Sequence, residues 1–178
     1  MEYIFTSERL GFRNWEATDL EPMTAINTDP EVMAYFPALY DQEQTAAFIT
    51  RMQQLYADKG YCYFAVETLG EQQFIGFIGL AWQTYEAPFT PCVDIGWRLC
   101  KAAWGHGYAA EGAGRCLEYA FHILQLDQVN AVAPVANERS VRVMQRVGMK
   151  PLMHFKHRAL TAYPALENCV CYFIERPV

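Results

Sequence analysis

The chain has 178 residues, enough for one hydrophobic core and too few for two ordinary domains. Hydrophobic residues make up 52% of the chain and charged residues 19%, which is typical of a compact globular fold and not of a disordered one. The formal net charge is −6 and lysines and arginines form no block, so we expect no nucleic-acid partner. The acidic balance mildly favours a cationic substrate.

The sequence also bears on the compartment and on metal binding. Charged residues interrupt the apolar runs well before the roughly 18 residues that a membrane span needs. The first residues lack the basic, apolar and small-residue pattern of a secretory signal, so we expect a cytoplasmic protein without membrane association. The six cysteines form no C-x-x-C pair and suit buried free thiols. They do not combine with the four histidines at zinc-binding spacing, so no metal site is expected.

The first third of the chain predicts one strand and two helices. Apolar alternation indicates a strand over residues 8–15. Thr18 and Glu21 form a capping-box signature for a helix that ends near residue 27. A short turn or helix is expected over residues 31–35.

Asp41 and Gln44 predict the start of a second helix, and Gly60 predicts its end. The later strands are predicted over residues 61–68, 74–82, 92–100, 128–134, 151–157 and 169–175. Gly96 inside one of them suggests a bulge or a close backbone approach. The longest helix is predicted over residues 107–125 and a further helix over residues 137–147.

This order of elements predicts a mixed α/β (α+β) fold. Its middle strands look antiparallel, and single helices connect the later strands. We therefore expect one domain over residues 1–178, with a central, mostly antiparallel twisted sheet of about seven strands and about four flanking helices.

A glycine-rich segment lies between a predicted strand and the long helix, at residues 104–109 (WGHGYA). A helix start presents unpaired backbone N–H groups and about half a positive charge, which together hold a phosphate-like anion. Gly105 and Gly107 would let the backbone approach such a ligand closely. The local pattern therefore predicts a diphosphate site without specifying which diphosphate.

A dinucleotide-binding turn is the main alternative for this segment. Gly105, Gly107 and Ala110 fit the G-x-G-x-x-G/A pattern, and Asp127 lies about 20 residues further on, where a ribose-binding acid would be. A Rossmann unit, however, needs repeated strand-helix-strand crossovers and usually carries this turn near its start. Here the turn follows a run of strands predicted to be antiparallel, which argues against the alternative.

Five segments together resemble the GNAT acetyltransferases, specifically the branch that includes ribosomal-protein N-terminal alanine acetyltransferases. They are residues 6–15 (TSERLGFRNW), 27–37 (NTDPEVMAYFP), 94–99 (DIGWRL), 104–111 (WGHGYAAE) and 137–150 (NERSVRVMQRVGMK). The resemblance covers nearly the whole chain. It implies an acetyl-CoA-dependent N-acetyltransferase.

The resemblance also assigns residues to CoA. The family's loop pattern, Q/R-x-x-G-x-G/A, matches residues 104–109 with Trp104 in place of Gln or Arg. Residues 97–99 would pair with the pantetheine arm like an added strand. The implied CoA-binding residues are Trp97, Arg98, Leu99, Trp104, Gly105, His106, Gly107, Tyr108, Ala109 and Asn137.

The implied reaction is the direct attack of an amine on the acetyl thioester. The amine must first lose a proton, and a backbone N–H near Leu99 would stabilise the oxyanion. The resemblance assigns Ser140 as the acid that protonates the departing thiolate, because the helix lacks the tyrosine that many relatives use. The base stays open between Asp94, His157 and a chain of waters.

Other interpretations of these residues stay open. Asn137 and Ser140 suit a helix N-cap and its first turn equally well, and Trp97 suits the core. Several aromatic residues could belong to the core or to the walls of an acceptor cleft: Tyr35, Phe36, Tyr40, Trp82 and Tyr85. The acceptor could be a protein N-terminal α-amine or a small-molecule amine, and the protein a monomer or a homodimer. Without an obvious base, a CoA-binding module that has lost catalysis is the alternative function.

Overall fold

The computed structural model describes residues 2–177, whose strands form an eight-stranded sheet in the order β1-β2-β3-β4-β5-β6-β8-β7. The strands are β1 (Phe5–Thr6), β2 (Leu10–Arg13), β3 (Tyr63–Thr68), β4 (Phe74–Gln83), β5 (Cys92–Leu99), β6 (Gln128–Pro134), β7 (Lys150–Lys156) and β8 (Asn168–Glu175). The α-helices are α1 (Leu20–Asn27), α2 (Gln42–Lys59), α3 (Tyr108–Glu118) and α4 (Glu138–Arg146). Neighbouring strands are antiparallel except β5 and β6, so the predicted mixed fold is confirmed.

The sheet has one strand more than expected because a short strand, β1, precedes the predicted first strand, which corresponds to β2. The Ser7 N–H donates to the Leu10 carbonyl at 2.9 Å, and the Ser7 hydroxyl accepts the Leu10 N–H at 3.1 Å. These bonds close a turn that folds β1 back along β2. The side-chain bond explains the turn, because serine competes with a continuing strand by binding nearby backbone.

The predicted capping box at Thr18 and Glu21 is wrong. Thr18 lies inside a short 3₁₀ turn that precedes α1. The turn begins at Glu16, whose N–H donates to the Asp19 carboxylate at 2.8 Å. The cause lies on the preceding strand: the Arg13 guanidinium holds that carboxylate with two bonds of 2.7 and 2.8 Å.

The second helix begins and ends as predicted. The Asp41 carboxylate accepts the Gln44 N–H at 2.8 Å, and Gly60 ends α2 with a left-handed φ of 74°. With 18 residues, α2 is longer than α3, which has 11 and continues as a π-helical turn over Tyr119–Ile123. The expectation that residues 107–125 form the longest helix is therefore wrong, and residues 31–35 form turns and no helix.

The helices cover both faces of the sheet. A Cβ added to Gly112 of α3 would lie 2.3 Å from Ile78 Cδ1, so α3 packs closely on the face of β4 that carries Ile78. Phe48 of α2 packs at 5.3 Å from the ring of Phe77, whose side chain lies on the opposite face. Within residues 2–177, no helix is both long and apolar enough to cross a membrane.

A buried ion cluster joins β2, β3 and the turn before α1. Arg13 contacts Asp19 at 2.7 Å and Glu67 at 3.1 Å, and all three side chains are at most 5% exposed. The hydroxyl of Tyr3 also donates to Glu67. Buried charges are tolerated when they are paired and hydrogen-bonded, as they are here.

Removing one partner of this cluster should be costly, because it leaves an uncompensated buried charge. We predict that Asp19→Ala lowers the free energy of unfolding by about 3–5 kcal/mol in denaturant titrations. Glu118→Ala is the control, because Glu118 is 64% exposed in its ion pair with Arg115, and it should cause little change. Equal stabilities for the two variants would contradict this account of the cluster.

Candidate active site

The backbones of strands β5 and β6 pair at a single position and then diverge. In the described chain their pairing is confined to Asp94 and Asn130. Beyond that point, the Cys100 N–H donates back to Ile75 of β4 at 2.9 Å. Because N–H directions alternate along a strand, those of Leu99 and Trp97 point away from β4, toward β6. The divergence thus leaves a gap along which the N–H groups of Trp97 and Leu99 have no strand partner, and an extended ligand could pair with them as an added strand.

Two helices start at the wide end of this gap. Because β5 and β6 are parallel, the segments that lead into α3 and α4 leave the sheet at the same edge, where ligands bind in open α/β sheets. The Trp104 indole N–H donates to the Leu99 carbonyl at 3.0 Å. The Arg139 guanidinium, from the first turn of α4, lies 4.7 Å from the Trp104 ring. Trp104 therefore connects β5 to both helix starts.

The segment before α3 has the backbone conformation that its glycines allow. Gly105 and Gly107 have φ values of 80° and 82°, in the left-handed region that other residues rarely adopt. Gly107 is the N-cap of α3, and its carbonyl accepts the Glu111 N–H at 3.0 Å. The N–H groups from Tyr108 to Ala110 then form the orphan first turn that favours an anion. His106 stacks on the Tyr108 ring at 5.5 Å.

A contact that the sequence analysis missed supports this loop. The Glu111 carboxylate accepts bonds from the Ser7 hydroxyl at 2.6 Å and from the Arg9 N–H and Nε at 2.8 and 2.7 Å. Arg9 also donates to the His106 carbonyl at 3.0 Å and lies 4.6 Å from the Tyr108 ring. We call Ser7, Arg9 and Glu111 the bracket. No local signal could reveal it, because Arg9 and Glu111 are 102 residues apart.

The bracket also balances charge beside the predicted diphosphate site. Partial burial alone would raise the pKa of Glu111, but hydrogen bonds from Ser7 and Arg9 outweigh that effect and lower it. Glu111 is therefore ionised near neutral pH and would repel a phosphate if it were alone. The Arg9 guanidinium, 2.6 Å from the Glu111 carboxylate, offsets this charge.

Asn137 and Ser140 form a helix N-cap in the structure. The Asn137 side-chain oxygen accepts the Ser140 backbone N–H at 3.2 Å at the start of α4. This bond matches the capping interpretation of Asn137. The Ser140 side chain is half-buried in the first turn of that helix.

Asp94 lies at the closed end of the gap and is buried. The Tyr63 hydroxyl donates to its carboxylate at 2.7 Å and the Gln83 amide at 3.1 Å. Burial raises the pKa of Asp94 to about 6, although both hydrogen bonds oppose this shift. A Cβ on Gly96 would lie 3.0 Å from the Tyr63 ring, so a side chain, where a close backbone approach was predicted, occupies the space beside this glycine. The ladder from β4 to β5 runs past Gly96 without a bulge.

The Arg98 side chain lies on the face of the sheet that carries α2. Its guanidinium donates to the Asn27 side-chain oxygen at 2.6 Å and stacks 4.1 Å from the Phe36 ring. Burial lowers its pKa to about 10. By the alternation along β5, the Arg98 N–H points to β4, so Trp97 and Leu99 are the members of the predicted trio whose N–H groups face the gap.

His157 follows β7 and stacks on Tyr85, with ring centres 4.5 Å apart. Its Nδ1 atom is buried without a hydrogen-bond partner, and burial lowers the pKa of the ring. The two candidate bases have different partners: Asp94 is bonded to Tyr63 and Gln83, and His157 stacks on Tyr85.

Comparison with known proteins identifies the family. The family model described as "Acetyltransferase (GNAT) domain" matches residues 9–150. The chain belongs to the GNAT acetyltransferase family. The "Uncharacterized N-acetyltransferase YnaD" of Bacillus subtilis (strain 168) is 31% identical over 152 residues, covering 85% of each chain. This match confirms the predicted resemblance to the GNAT acetyltransferases. It argues against the alternative that the glycine segment is a dinucleotide-binding turn.

Solved structures agree with this assignment. An acetyltransferase of the GNAT family from Bacillus anthracis is 26% identical and superposes with a TM-score of 0.80, covering 96% of this chain and 97% of the other. Spermidine N-acetyltransferase from Vibrio cholerae, solved with CoA and spermine, is 20% identical with a TM-score of 0.76, covering 94% and 95%. The second likeness concerns the fold alone. As a GNAT N-acetyltransferase, the enzyme has a fold that binds acetyl-CoA.

A pair of glycine substitutions tests the diphosphate loop. Gly107 and Gly148 have similar φ values of 82° and 85°, so a side chain strains both by a similar amount. We predict that Gly107→Leu weakens CoA binding by at least about tenfold in calorimetry, because a side chain would block close approach to the backbone. Gly148→Leu, at the far end of α4, should lose similar stability and keep its CoA affinity. Unchanged CoA affinity in the Gly107 variant would contradict the site.

Proposed function

We propose that the enzyme transfers the acetyl group of acetyl-CoA to a primary amine by direct attack within a ternary complex. One observation carries this proposal: the free edge of β5 leads from the glycine loop at α3 to the buried carboxylate of Asp94. A thioester at the end of an extended arm along that edge would lie near a group that can accept a proton. The acceptor is a small-molecule amine or a protein N-terminal α-amine.

The donor would be held by three parts of the site. The N–H groups of residues 107–110 suit the diphosphate, supported by the bracket. The backbone of Trp97 and Leu99 suits the pantetheine arm. One of these two N–H groups would also stabilise the oxyanion, and that of Trp97 is the nearer to Asp94 along the strand.

The amine must lose its proton before it can attack, and we propose Asp94 as the group that receives it, directly or through water. With a pKa of about 6, this carboxylate is largely ionised at neutral pH. Its contact with the Tyr63 hydroxyl keeps it oriented. His157 is the second candidate, because burial lowers its pKa and keeps a neutral ring with a free lone pair.

The proposed reaction balances without another reactant. The C–N bond forms as the C–S bond breaks, and the thiolate takes a proton, which we assign to the Ser140 hydroxyl. The amide nitrogen gives its second proton to solvent, and Ser140 recovers a proton from solvent. Overall, a protonated amine and acetyl-CoA give the amide, CoA and one released proton.

The direct test follows release of the CoA thiol when the protein is incubated with acetyl-CoA and a panel of primary amines. The proposal expects thiol release and an N-acetyl product with at least one amine. Tight CoA binding without turnover on any amine would contradict it and would favour the CoA-binding module.

The role of Asp94 predicts a pH dependence. Below about pH 6, kcat should fall because Asp94 becomes protonated. Asp94→Asn should lower kcat by about 10²-fold near pH 7.5 and remove the acidic limb of the profile. If Asp94→Asn keeps the wild-type kcat and the acidic limb of its pH profile, Asp94 is not the base, and His157 or water serves instead.

Stability should change with pH in the opposite sense. The folded-state pKa of Asp94 is raised from 3.8 to about 6, so the folded protein binds a proton more tightly than the unfolded chain. Wild-type stability should therefore fall, relative to Asp94→Asn, as pH rises from about 4 to 7, by up to about 3 kcal/mol. Denaturant titrations of both proteins across this range measure the difference. Parallel profiles would show that burial does not shift this group.

The acid role of Ser140 makes a separate kinetic prediction. Ser140→Ala should lower kcat by about tenfold or more and leave KM for acetyl-CoA nearly unchanged, because the hydroxyl acts only in the transition state. The Asn137 cap uses the backbone N–H of Ser140, which alanine keeps, so the helix start should survive. An unchanged kcat would remove this role.

A further inference from the structure

Four aromatic rings form a closed cluster on the side of the sheet that carries Asp94. Tyr85 and Phe89 come from the loop between β4 and β5, and Phe155 and His157 come from the end of β7. The ring centres of successive neighbours are 6.3, 5.0, 5.9 and 4.5 Å apart around the circuit Tyr85, Phe89, Phe155, His157 and back to Tyr85. We call these four residues the aromatic cluster.

The strand register places this cluster on the same face as Asp94. Asp94 is in register with Asn130 of β6, and Asn130 with Phe173 of β8. Cys169, four residues before Phe173 on the same strand, is in register with Phe155. Because side chains of paired residues share a face, Phe155 lies on the Asp94 side. The Asp94 charge also contributes to the raised pKa of Tyr85, after the larger effect of burial.

The cluster contains polar atoms that lack partners. Among residues 2–177, the buried side-chain nitrogen and oxygen atoms without a hydrogen bond are Tyr85 Oη, Arg98 Nε and His157 Nδ1. All three lie on this face, and two belong to the aromatic cluster. Buried polar groups in folded proteins are almost always paired, so these atoms are available to bond a ligand in place of water.

The charges around the cluster limit what that ligand can be. Residues 84–91 and 150–168 contain two carboxylates, Glu86 and Glu167. Both are ion-paired, to Arg158 and Lys156 respectively. Asp94 accepts its hydrogen bonds from neutral donors, so it is the carboxylate beside the cluster that has no cationic partner among these contacts. The two segments that build the cluster therefore offer a polyamine no second carboxylate without an ion pair.

We propose that the aromatic cluster is the acceptor subsite, and that it selects a primary amine on an apolar or aromatic carbon skeleton over a polyamine. The ammonium group has three N–H donors, and the Asp94 carboxylate, Tyr85 Oη and His157 Nδ1 supply three acceptors. The ring faces suit both an attached apolar skeleton and the cation itself. This inference depends on the proposed function and specifies its acceptor.

Acceptor kinetics test the selectivity. We expect kcat/KM for 2-phenylethylamine to exceed that for spermidine by at least about tenfold at low salt, where a polycation would gain most from acidic sites. A higher kcat/KM for spermidine would overturn the inference while leaving the proposed acetyl transfer intact.

Two tyrosine substitutions test the subsite with opposite expectations. Tyr85→Phe removes a hydroxyl that has no partner, so the melting temperature should stay the same or rise. The same change should lower kcat/KM for 2-phenylethylamine by about 5- to 30-fold and raise its KM. Tyr119→Phe is the control: its hydroxyl donates to the Gly60 carbonyl at 2.9 Å, so it should lose stability and keep its kinetics. The proposed subsite is contradicted if Tyr85→Phe keeps the wild-type kcat/KM for 2-phenylethylamine. It is also contradicted if kcat/KM falls only as far as the melting temperature falls.

Calorimetry on the CoA complex separates this inference from the proposed function. Wild-type protein with CoA should bind 2-phenylethylamine, and Tyr85→Phe should bind it about 5- to 30-fold more weakly. That result supports the subsite even if no amine is acetylated, in which case only the proposed function fails. Equal affinities for the two proteins would overturn the subsite.

Discussion

The backbones of strands β5 and β6 pair at one position, Asp94 with Asn130, and the candidate site depends on that limited pairing. A parallel pair that continued past Asp94 would consume the N–H groups of Trp97 and Leu99. Because the strands diverge instead, the sheet keeps a free edge inside the molecule, bordered by two helix starts. The rest of the fold holds this opening: β4 pairs with β5 along its whole length, and β8 does the same for β6.

The bracket and the buried ion cluster support the opening from the N-terminal side. Arg9 connects the first segment of the chain to Glu111 of α3, and Arg13 connects β2 to β3 and to the turn before α1. Both arginines belong to the short stretch around β2. The glycine loop is therefore held against the edge of the sheet by Arg9 before any ligand binds. An anion that binds there has less of the loop to order.

Local patterns predicted the elements whose causes are local. Asp41 and Gln44 bond to each other across one helical turn, and both lie close together in sequence. Gly105 and Gly107 lie between a strand and a helix, and these two positions alone predict the start of α3. Contacts between distant segments could not be predicted in this way. The bracket joins residues 102 positions apart, and the ion cluster that holds Asp19 joins Arg13 to Glu67, 54 positions further on. Tyr85 was recognised as a possible wall residue, but its stacking on His157 depends on how a loop folds over β7.

Amide hydrogen exchange, measured residue by residue with and without CoA, tests the central claim most directly. The N–H groups of Trp97 and Leu99 should exchange quickly in the free protein and become protected when CoA binds. The N–H of Cys100, already bonded to Ile75 at 2.9 Å, is the internal control and should be protected in both states. If CoA protects other strands and leaves Trp97 and Leu99 unchanged, the free edge of β5 is not the binding site.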